Sequence, residues 1–338
     1  MQLIRGLINL NKQISNCVAT IGNFDGVHLG HQAIIRRVIE QAKESGFQSC
    51  VILFEPHPKE VFMGDNCPVR ITRFAEKYRQ LKKLGIDKLL VLKFNHSFSQ
   101  MKAEDFIQQV LIKKLKVKHL VVGDDFHFGY QRQGNYQLLS IKGKGYYTVE
   151  PTSSVVVNTD ELAHAVHRVS STLVRNALFE NNFDLVEKLL ARKYSMEGKV
   201  GYGKQLGRTL GFATANLLLN HKKLPLSGVY LVKASWDDKA DDKQGDNPQQ
   251  DNWSQQCRQK DSWGVANCGL RPTVGGGYFN LETHLLNVSP DLYGKKLTIT
   301  FYAFLRDEKK FSNIELLTQQ IKQDIKQAEK LIEELSTK

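Results

Sequence analysis

Part-way along these 338 residues the hydrophobic pattern changes its period, and the two patterns specify different architectures. Up to about residue 185, short β-rich runs alternate with amphipathic stretches. The runs are Cys17–Ile21, Ser49–Phe54, Lys88–Phe94, His119–Gly123 and Tyr146–Val149. Between the first two lies Gln32–Lys43, where Ala33, Ile34, Val38, Ile39 and Ala42 follow helical spacing and Gly46 sits where a helix stop belongs. Phe74–Leu84 and Glu104–Leu115 read the same way. Repeated strand–helix–strand predicts an α/β unit, a parallel sheet with helices on both faces. Ligands of such sheets sit beyond the carboxyl ends of the strands.

After about Tyr194 glycines crowd in, at Gly198, Gly201, Gly203, Gly207 and Gly211. The β-rich runs Gly228–Trp236, Trp263–Cys268, Tyr278–Leu286 and Lys296–Leu305 follow, with turn chemistry and no helix between them. This predicts an all-β antiparallel barrel or sandwich. One long helix closes the chain. Ser312 and Glu315 read as its capping box, and Ile314, Leu317, Ile321, Ile325, Ala328 and Leu331 form one apolar stripe for packing on the barrel. Asp237–Ser262 carries seven acidic and four basic residues and no Val, Ile, Leu or Phe, so it reads as a mobile hairpin insertion. The expected domains are 1–185 and 186–338, the second containing the polar insertion 237–262.

Apolar residues at 41% and charged residues at 24% are ordinary globular usage and exclude disorder over the whole chain. The longest apolar runs, such as Cys50–Phe54, fall far short of the roughly 18 residues that span a membrane. Met1–Lys12 has no apolar block of secretory length. Five cysteines (Cys17, Cys50, Cys67, Cys257, Cys268), odd in number and never CxxC, argue against a disulfide framework or zinc cluster. These features predict a cytoplasmic protein with no membrane partner. The net charge of +12 suits a polyanion, either nucleic acid or a phosphorylated small molecule. The basic cluster Lys113, Lys114, Lys116 and Lys118 ends an amphipathic helix without an accompanying nucleic-acid motif, so no nucleic-acid partner is expected.

Gly22-Asn23-Phe24-Asp25-Gly26-Val27-His28-Leu29-Gly30-His31 follows a strand and opens a helix. Two histidines at i and i+3 face the same way on a first helical turn, where free N–H groups already favour phosphate. Gly30 lets a nucleotide approach the backbone. An HxxH pair also serves as a surface pair or as zinc ligands; the preceding turn favours phosphate. A second helix start, Arg168-Val-Ser170-Ser171-Thr-Leu-Val-Arg175, combines good N-caps with a guanidinium one turn on.

These two segments resemble the signatures of the nucleotidyltransferase superfamily, and the chain is more closely similar to bacterial bifunctional riboflavin kinase/FMN adenylyltransferases, also called FAD synthetases. Phe54-Glu-Pro-His57-Pro58 and Gly123-Asp-Asp125-Phe126-His-Phe128-Gly129 resemble that family's flavin-side segments. The resemblance implies a Rossmann-like nucleotidyltransferase domain in which His28, His31, Arg168, Ser171 and Arg175 contact ATP and its transition state. Gly22, Asn23, Phe24, Asp25, Gly30, His57, Asp125 and Phe126 would line the ligand site, with Phe126 and Phe128 offering a stacking face. It further implies attack of an FMN phosphate oxygen on the ATP α-phosphorus, yielding FAD and pyrophosphate. A nucleotidyltransferase for another phosphorylated acceptor is the alternative.

Gly198-Lys-Val-Gly201-Tyr-Gly-Lys204-Gln-Leu-Gly207-Arg208-Thr-Leu-Gly211-Phe-Ala213-Thr214-Ala-Asn216 is Gly-rich without Walker spacing. Thr214 and Asn216 supply two hard oxygens two residues apart, suited to Mg²⁺. The segment resembles the riboflavin kinase signature, with Ala213 where the family usually has proline. Asn267, in Gly264–Thr273, and Glu282 and His284, in Leu281–Leu286, also resemble the kinase module, with Asn287 where Asp is common. Strand alternation puts Glu282 and His284 on one face. The resemblance implies a riboflavin-kinase-like barrel in which Glu282 is general base for the riboflavin 5′-hydroxyl attacking the ATP γ-phosphate. Gly201, Lys204, Gly207, Arg208, Asn267 and Arg306 would bind nucleotide or flavin, and Thr214 and Asn216 Mg²⁺. ATP is the co-substrate at both sites, the flavins are riboflavin, FMN and FAD, and the chain is expected as a monomer or weak homo-oligomer.

Overall fold

The computed structural model describes residues 1–10, 16–160, 165–202, 211–219, 223–238, 258–271 and 278–337. They form two compact units, Met1–Arg175 with Lys188–Ala191, and Asn176–Glu187 with Arg192–Lys338.

In the first unit β1 (Gln2–Arg5) is followed by β2 (Cys17–Ile21), α1 (Leu29–Ser45), β3 (Gln48–Glu55), α2 (Pro58–Met63), α3 (Phe74–Leu84) and β4 (Lys88–Lys93). Next come the short α4 (His96–Ser99) and α5 (Ala103–Asp105), the latter widening into a π-helical stretch, Phe106–Lys114. Then β5 (Val117–Gly123), α6 (Tyr136–Gly143) and β6 (Thr148–Thr152) complete a six-stranded sheet in the order β1-β4-β3-β2-β5-β6. Every pairing in it is parallel.

The expected helices on both faces are observed. Ile35 and Val38 of α1 and Leu81 of α3 pack against Val18, Val51 and Leu89. Phe106, Ile107 and Leu111 pack with Leu139 of α6 against Ala19, Ile52 and Leu120 on the other side. Strand order reverses between β2 and β5, so the crevice beyond Ile21 and Gly123 is the switch point where a doubly wound sheet takes its ligand. A hairpin of β7 (Val156–Asp160) and β8 (Ala165–Arg168) then leads to α7 (Ser171–Phe179) and α8 (Phe183–Leu190).

In the second unit β9 (Ser195–Gly201), β10 (Thr214–Leu218), β11 (Gly228–Asp238), β12 (Arg258–Arg271), β13 (Tyr278–Leu285) and β14 (Lys296–Arg306) close an antiparallel barrel, in the order β10-β13-β12-β11-β14-β9. Two of its strands, β9 and β10, overlap the two ends of the Gly-rich segment 198–216. The hairpin insertion begins later than expected. Asp237 and Asp238 pair with Gln259 and Arg258, so both ends of 237–262 are strand, and 239–257 lies outside the described residues.

The helix Ile314–Ser336 closes the unit and lays Ala328, Ile325 and Leu331 against Val229, Leu231 and Leu305. Its cap is Asn313, whose side chain accepts from the Leu316 amide at 2.9 Å, rather than Ser312. Ile314, expected in the apolar stripe, is 54% exposed. No helix among the described residues is long and apolar enough to cross a membrane.

Candidate active sites

The turn from β2 into α1 is the first site's framework. Phe24 (φ 49°), Gly26 (φ 84°) and Val27 (φ 44°) are all left-handed. Such conformations persist in non-glycine residues only where surrounding contacts enforce them. Here the Asp25 carboxylate accepts from the Ile71 and Thr72 amides at 3.1 Å and from Arg175 Nη2 at 2.7 Å. Gly26 N donates to Thr72 Oγ1 at 2.9 Å, Lys77 Nζ to the Asn23 carbonyl at 2.6 Å, and Ser171 Oγ to the Asp25 carbonyl at 3.0 Å. Burial works to raise the Asp25 pKa, but Lys77, Arg175 and the two amides outweigh it and hold the carboxyl below its usual range.

Asp25 organises the turn, and the Arg175 guanidinium is spent on it and on the Val69 carbonyl, 2.6 Å away. Ser170, not Ser171, caps α7, through the Leu173 amide at 3.1 Å.

His28 is the N-cap of α1, and its Nδ1 accepts the His31 amide at 3.4 Å. In the neutral ring the proton then sits on Nε2. The two imidazoles stack with centroids 3.6 Å apart. Burial pushes the His31 pKa well below the usual value, helped by His28 and Lys77, so that ring is neutral at pH 7. At Gly30 a Cβ would come within 3.3 Å of the His28 ring.

Two cavities meet here. A polar one of ≈ 330 Å³ is lined by His28, Gly30, Arg168, Ser170 and Ser171. An apolar one of ≈ 450 Å³ is lined by eight phenylalanines with Gly22, Asn23 and His57. His31, Ile34, Gly123 and Asp125 line both. Arg168 reaches across the polar cavity to Asp124 (3.1 Å) and Asp125 (2.9 Å).

Phe126 and Phe128 both line the apolar cavity and stack on each other at 5.5 Å. Phe128 belongs to the sheet core at 7% exposure. Sequence reasoning missed the rest of the cage: Phe62, Phe94, Phe98 and Phe106 come from separate segments and share no local period. It also missed Lys77 and Asp124. His57 caps α2 through the Lys59 amide, and burial lowers its pKa to about 4, with Lys77 and Arg70 adding to the effect against Asp25 and Glu60.

In the barrel, register brings Asn216 of β10, Glu282 of β13 and Asn267 of β12 side by side, with Thr214 next to His284 one step along. Asn280, which sequence reasoning missed, donates from Nδ2 to Glu282 Oε1 at 2.7 Å and to Asn216 Oδ1 at 3.1 Å. Asn267 Oδ1 is buried without a hydrogen-bond partner among the described residues. His284 Nδ1 is 2.9 Å from the Ala213 carbonyl.

One cavity of ≈ 300 Å³ is lined by Glu282, Asn267, His284, Arg306 and Phe311, and a second of ≈ 340 Å³ by Asn216, Asp291 and Tyr293; Thr214 lines both. Gly201 faces Asn216 in β9, where a Cβ would meet Leu218 at 2.8 Å, so its small size serves strand packing. Asn287 takes φ 60°, which suits asparagine. Lys204, Gly207 and Arg208 lie outside the described residues.

A doubly wound sheet with a helix start and a polar cavity at its switch point, joined in sequence to a barrel with a carboxylate beside two hard oxygens, fits a two-module transferase. The family model for FAD synthetase matches residues 10–172, and that for riboflavin kinase matches residues 190–332. A bifunctional riboflavin kinase/FMN adenylyltransferase of Pseudomonas fluorescens is 43% identical over 98% of each chain. One of Haemophilus influenzae is 40% identical, covering 97% of this chain and 98% of its own. A solved structure described as a macrolide-efflux protein from Streptococcus pneumoniae has a TM-score of 0.75 at 26% identity, covering 96% of this chain and 98% of that one. The chain belongs to the bifunctional riboflavin kinase/FMN adenylyltransferase family.

Proposed function

We propose that the second unit phosphorylates riboflavin to FMN and the first adenylylates FMN to FAD, each with ATP. The observation that carries the assignment is the pair of cavities sharing His31, Ile34, Gly123 and Asp125. A cavity lined by aromatic rings suits a fused ring, a helix N-terminus suits phosphates, and the shared wall is where the two ligands' phosphorus chemistry would meet.

In FAD formation an FMN phosphate oxygen attacks the ATP α-phosphorus. The new P–O bond forms as the bond to the β-phosphate breaks, and pyrophosphate leaves with the electron pair. His28 Nε2–H and the free amides of α1 stabilise the charge that grows on the α-phosphate oxygens. Arg168 neutralises the phosphates, and the aromatic cage with His57 orients the flavin.

In FMN formation Glu282 takes the proton of the riboflavin 5′-hydroxyl as its oxygen attacks the γ-phosphorus and ADP departs. Asn280 holds one Glu282 oxygen, which fixes the carboxylate and leaves Oε2 to act. Among the described residues no group of three His, Cys, Asp or Glu could hold a metal. Thr214 and Asn216 instead offer two neutral hard oxygens on one strand face, a donor set that fits Mg²⁺ taking its remaining ligands from water and phosphate. Bound there, Mg²⁺ would neutralise triphosphate charge.

Purified protein incubated with riboflavin, ATP and Mg²⁺, with FMN and FAD followed by chromatography, tests the reading. FMN is expected first and FAD after it. Turnover of a non-flavin acceptor alone would reject it.

A further inference from the structure

The barrel cleft contains an ion pair that these reaction steps leave unused. Arg306 ends β14 on the cleft wall, and Asp324 of the C-terminal helix grips its guanidinium side-on. Nε meets Oδ1 and Nη2 meets Oδ2, each at 2.8 Å. Nη1 donates to the Asp307 carbonyl at 2.8 Å, and the Phe311 ring centroid lies 5.9 Å from the guanidinium carbon. One turn earlier on the helix, Gln320 Nε2 donates to Asp324 Oδ1 at 2.9 Å. Asp324 is 3% exposed.

A buried ion pair is a weak source of stability, because desolvating both charges offsets most of their attraction. Docking of the helix already has an apolar basis in Ala328, Ile325 and Leu331. What the pair supplies is geometry. An arginine has five N–H donors in a rigid plane on a long flexible stem. With three of them committed to Asp324 and Asp307, the plane is fixed, and one N–H on each of Nη1 and Nη2 is left over. The same cleft presents Glu282 and the apolar Leu317 and Ile321. A planar ligand with carbonyl acceptors along one edge suits such a wall.

We infer that Asp324 is a positioning residue for riboflavin phosphorylation: acting through Arg306, it fixes the guanidinium that receives the carbonyl edge of the flavin, which places the 5′-hydroxyl at Glu282. The inference rests on the kinase reading of this cleft. It makes the C-terminal helix part of the kinase site.

The test uses the full chain, with riboflavin varied at saturating ATP and FAD formation from supplied FMN as the internal reference. Asp324→Asn is expected to raise the riboflavin KM about tenfold or more, with kcat within about threefold, because a charge-assisted hydrogen-bond pair is lost from ground-state binding. FAD formation should be unchanged, and Asp324→Glu should recover part of the KM. The Arg306→Ala/Asp324→Asn double variant should be no worse than Arg306→Ala alone, since the two side chains act as one unit.

An unmoved KM in Asp324→Asn, or additive losses in the double variant, overturns the inference. Should Asp324→Asn not fold, Arg306→Lys keeps the charge but gives up the planar fork; it should raise KM with kcat within about threefold, and an unmoved KM there is equally fatal. If the unaltered chain made no FMN, the kinase reading would fall, an outcome distinct from a normal rate with an insensitive Asp324.

Discussion

Replacing Asp25 by asparagine separates the two units experimentally. The carboxylate is 4% exposed, and its partner Arg175 has a side chain 12% exposed. Asparagine keeps one oxygen for the Ile71 and Thr72 amides but removes the charge facing Arg175 and Lys77. Removing one partner of a buried pair while its cation stays typically costs about 3–5 kcal/mol. A domain has roughly 5–15 kcal/mol in all, so this is a large fraction of the first unit's stability.

All three tryptophans, Trp236, Trp253 and Trp263, lie in the C-terminal half of the sequence, so their emission reports the barrel unit. Far-ultraviolet circular dichroism reports both. Urea unfolding of Asp25→Asn should show an early dichroic transition, while the tryptophan transition stays at the parental midpoint. FAD formation should fall and FMN formation persist. Because the folded-state pKa of Asp25 lies below its unfolded value, its contribution is present above the unfolded pKa and is lost as pH falls through the folded one. The parental and variant dichroic midpoints should therefore converge in acid. A tryptophan transition displaced as far as the dichroic one, or a dichroic shift worth under about 1 kcal/mol, would refute a burial-based role for this pair.

Glu282→Gln should slow FMN formation about 10²–10⁴-fold while FAD formation from supplied FMN survives, as two separate assays will show. His28→Ala should do the reverse, lowering kcat for FAD by about 10²–10³ with the kinase reaction untouched. His57 is neutral when folded above about pH 4 and titrates near 6.5 when unfolded, so stability is fully present above 6.5 and declines as pH falls towards 4. The loss should approach roughly 3 kcal/mol over that window. His57→Asn, which retains a capping side chain, should flatten that decline in pH-dependent unfolding.

Runs with one clear period were legible in the sequence. Cys17–Ile21 and Phe74–Leu84 occur at the residues expected, and each is followed by a glycine, Gly22 or Gly85, that closes it. The strands β9 and β10 were not legible, because glycine has two uses. The resemblance implies a ligand role for Gly201, whereas in the barrel Gly198 and Gly201 make room for Leu217 and Leu218, which a Cβ would meet at 3.0 and 2.8 Å. Register across strands was equally hidden. Nothing local joins Asn216 to Glu282 and Asn267, or shows that Asn280 ties the first two together. Arg175 is the converse case. Its helix start is plain in the sequence, but the partner that captures its guanidinium lies 150 residues away.

The acidity of the two acceptors accounts for where the carboxylates stand. Riboflavin offers an alcohol, which must lose its proton as it attacks, so the barrel needs a base with a free oxygen lobe. Glu282 has one, since only Oε1 takes the Asn280 amide. FMN offers a phosphate, already dianionic for the most part near neutral pH because its second pKa is about 6. A carboxylate free in that cleft would gain nothing and would repel both substrates. The carboxylates at the first site accordingly have cationic partners: Asp25 holds Arg175, and Asp124 and Asp125 share Arg168. What remains to face the phosphates there is a helix N-terminus, imidazoles that stay neutral or donate, and the Arg168 N–H groups not engaged by Asp124 and Asp125. The pH dependences should therefore diverge, because the riboflavin hydroxyl carries no ionisation of this kind and FMN formation lacks a limb from its acceptor. FAD formation should decline as pH falls through the second pKa of the FMN phosphate, about 6, where the acceptor takes up a proton and loses charge. A shared acid limb for the two reactions would show that one ionisation governs both, and this separation of roles would be wrong.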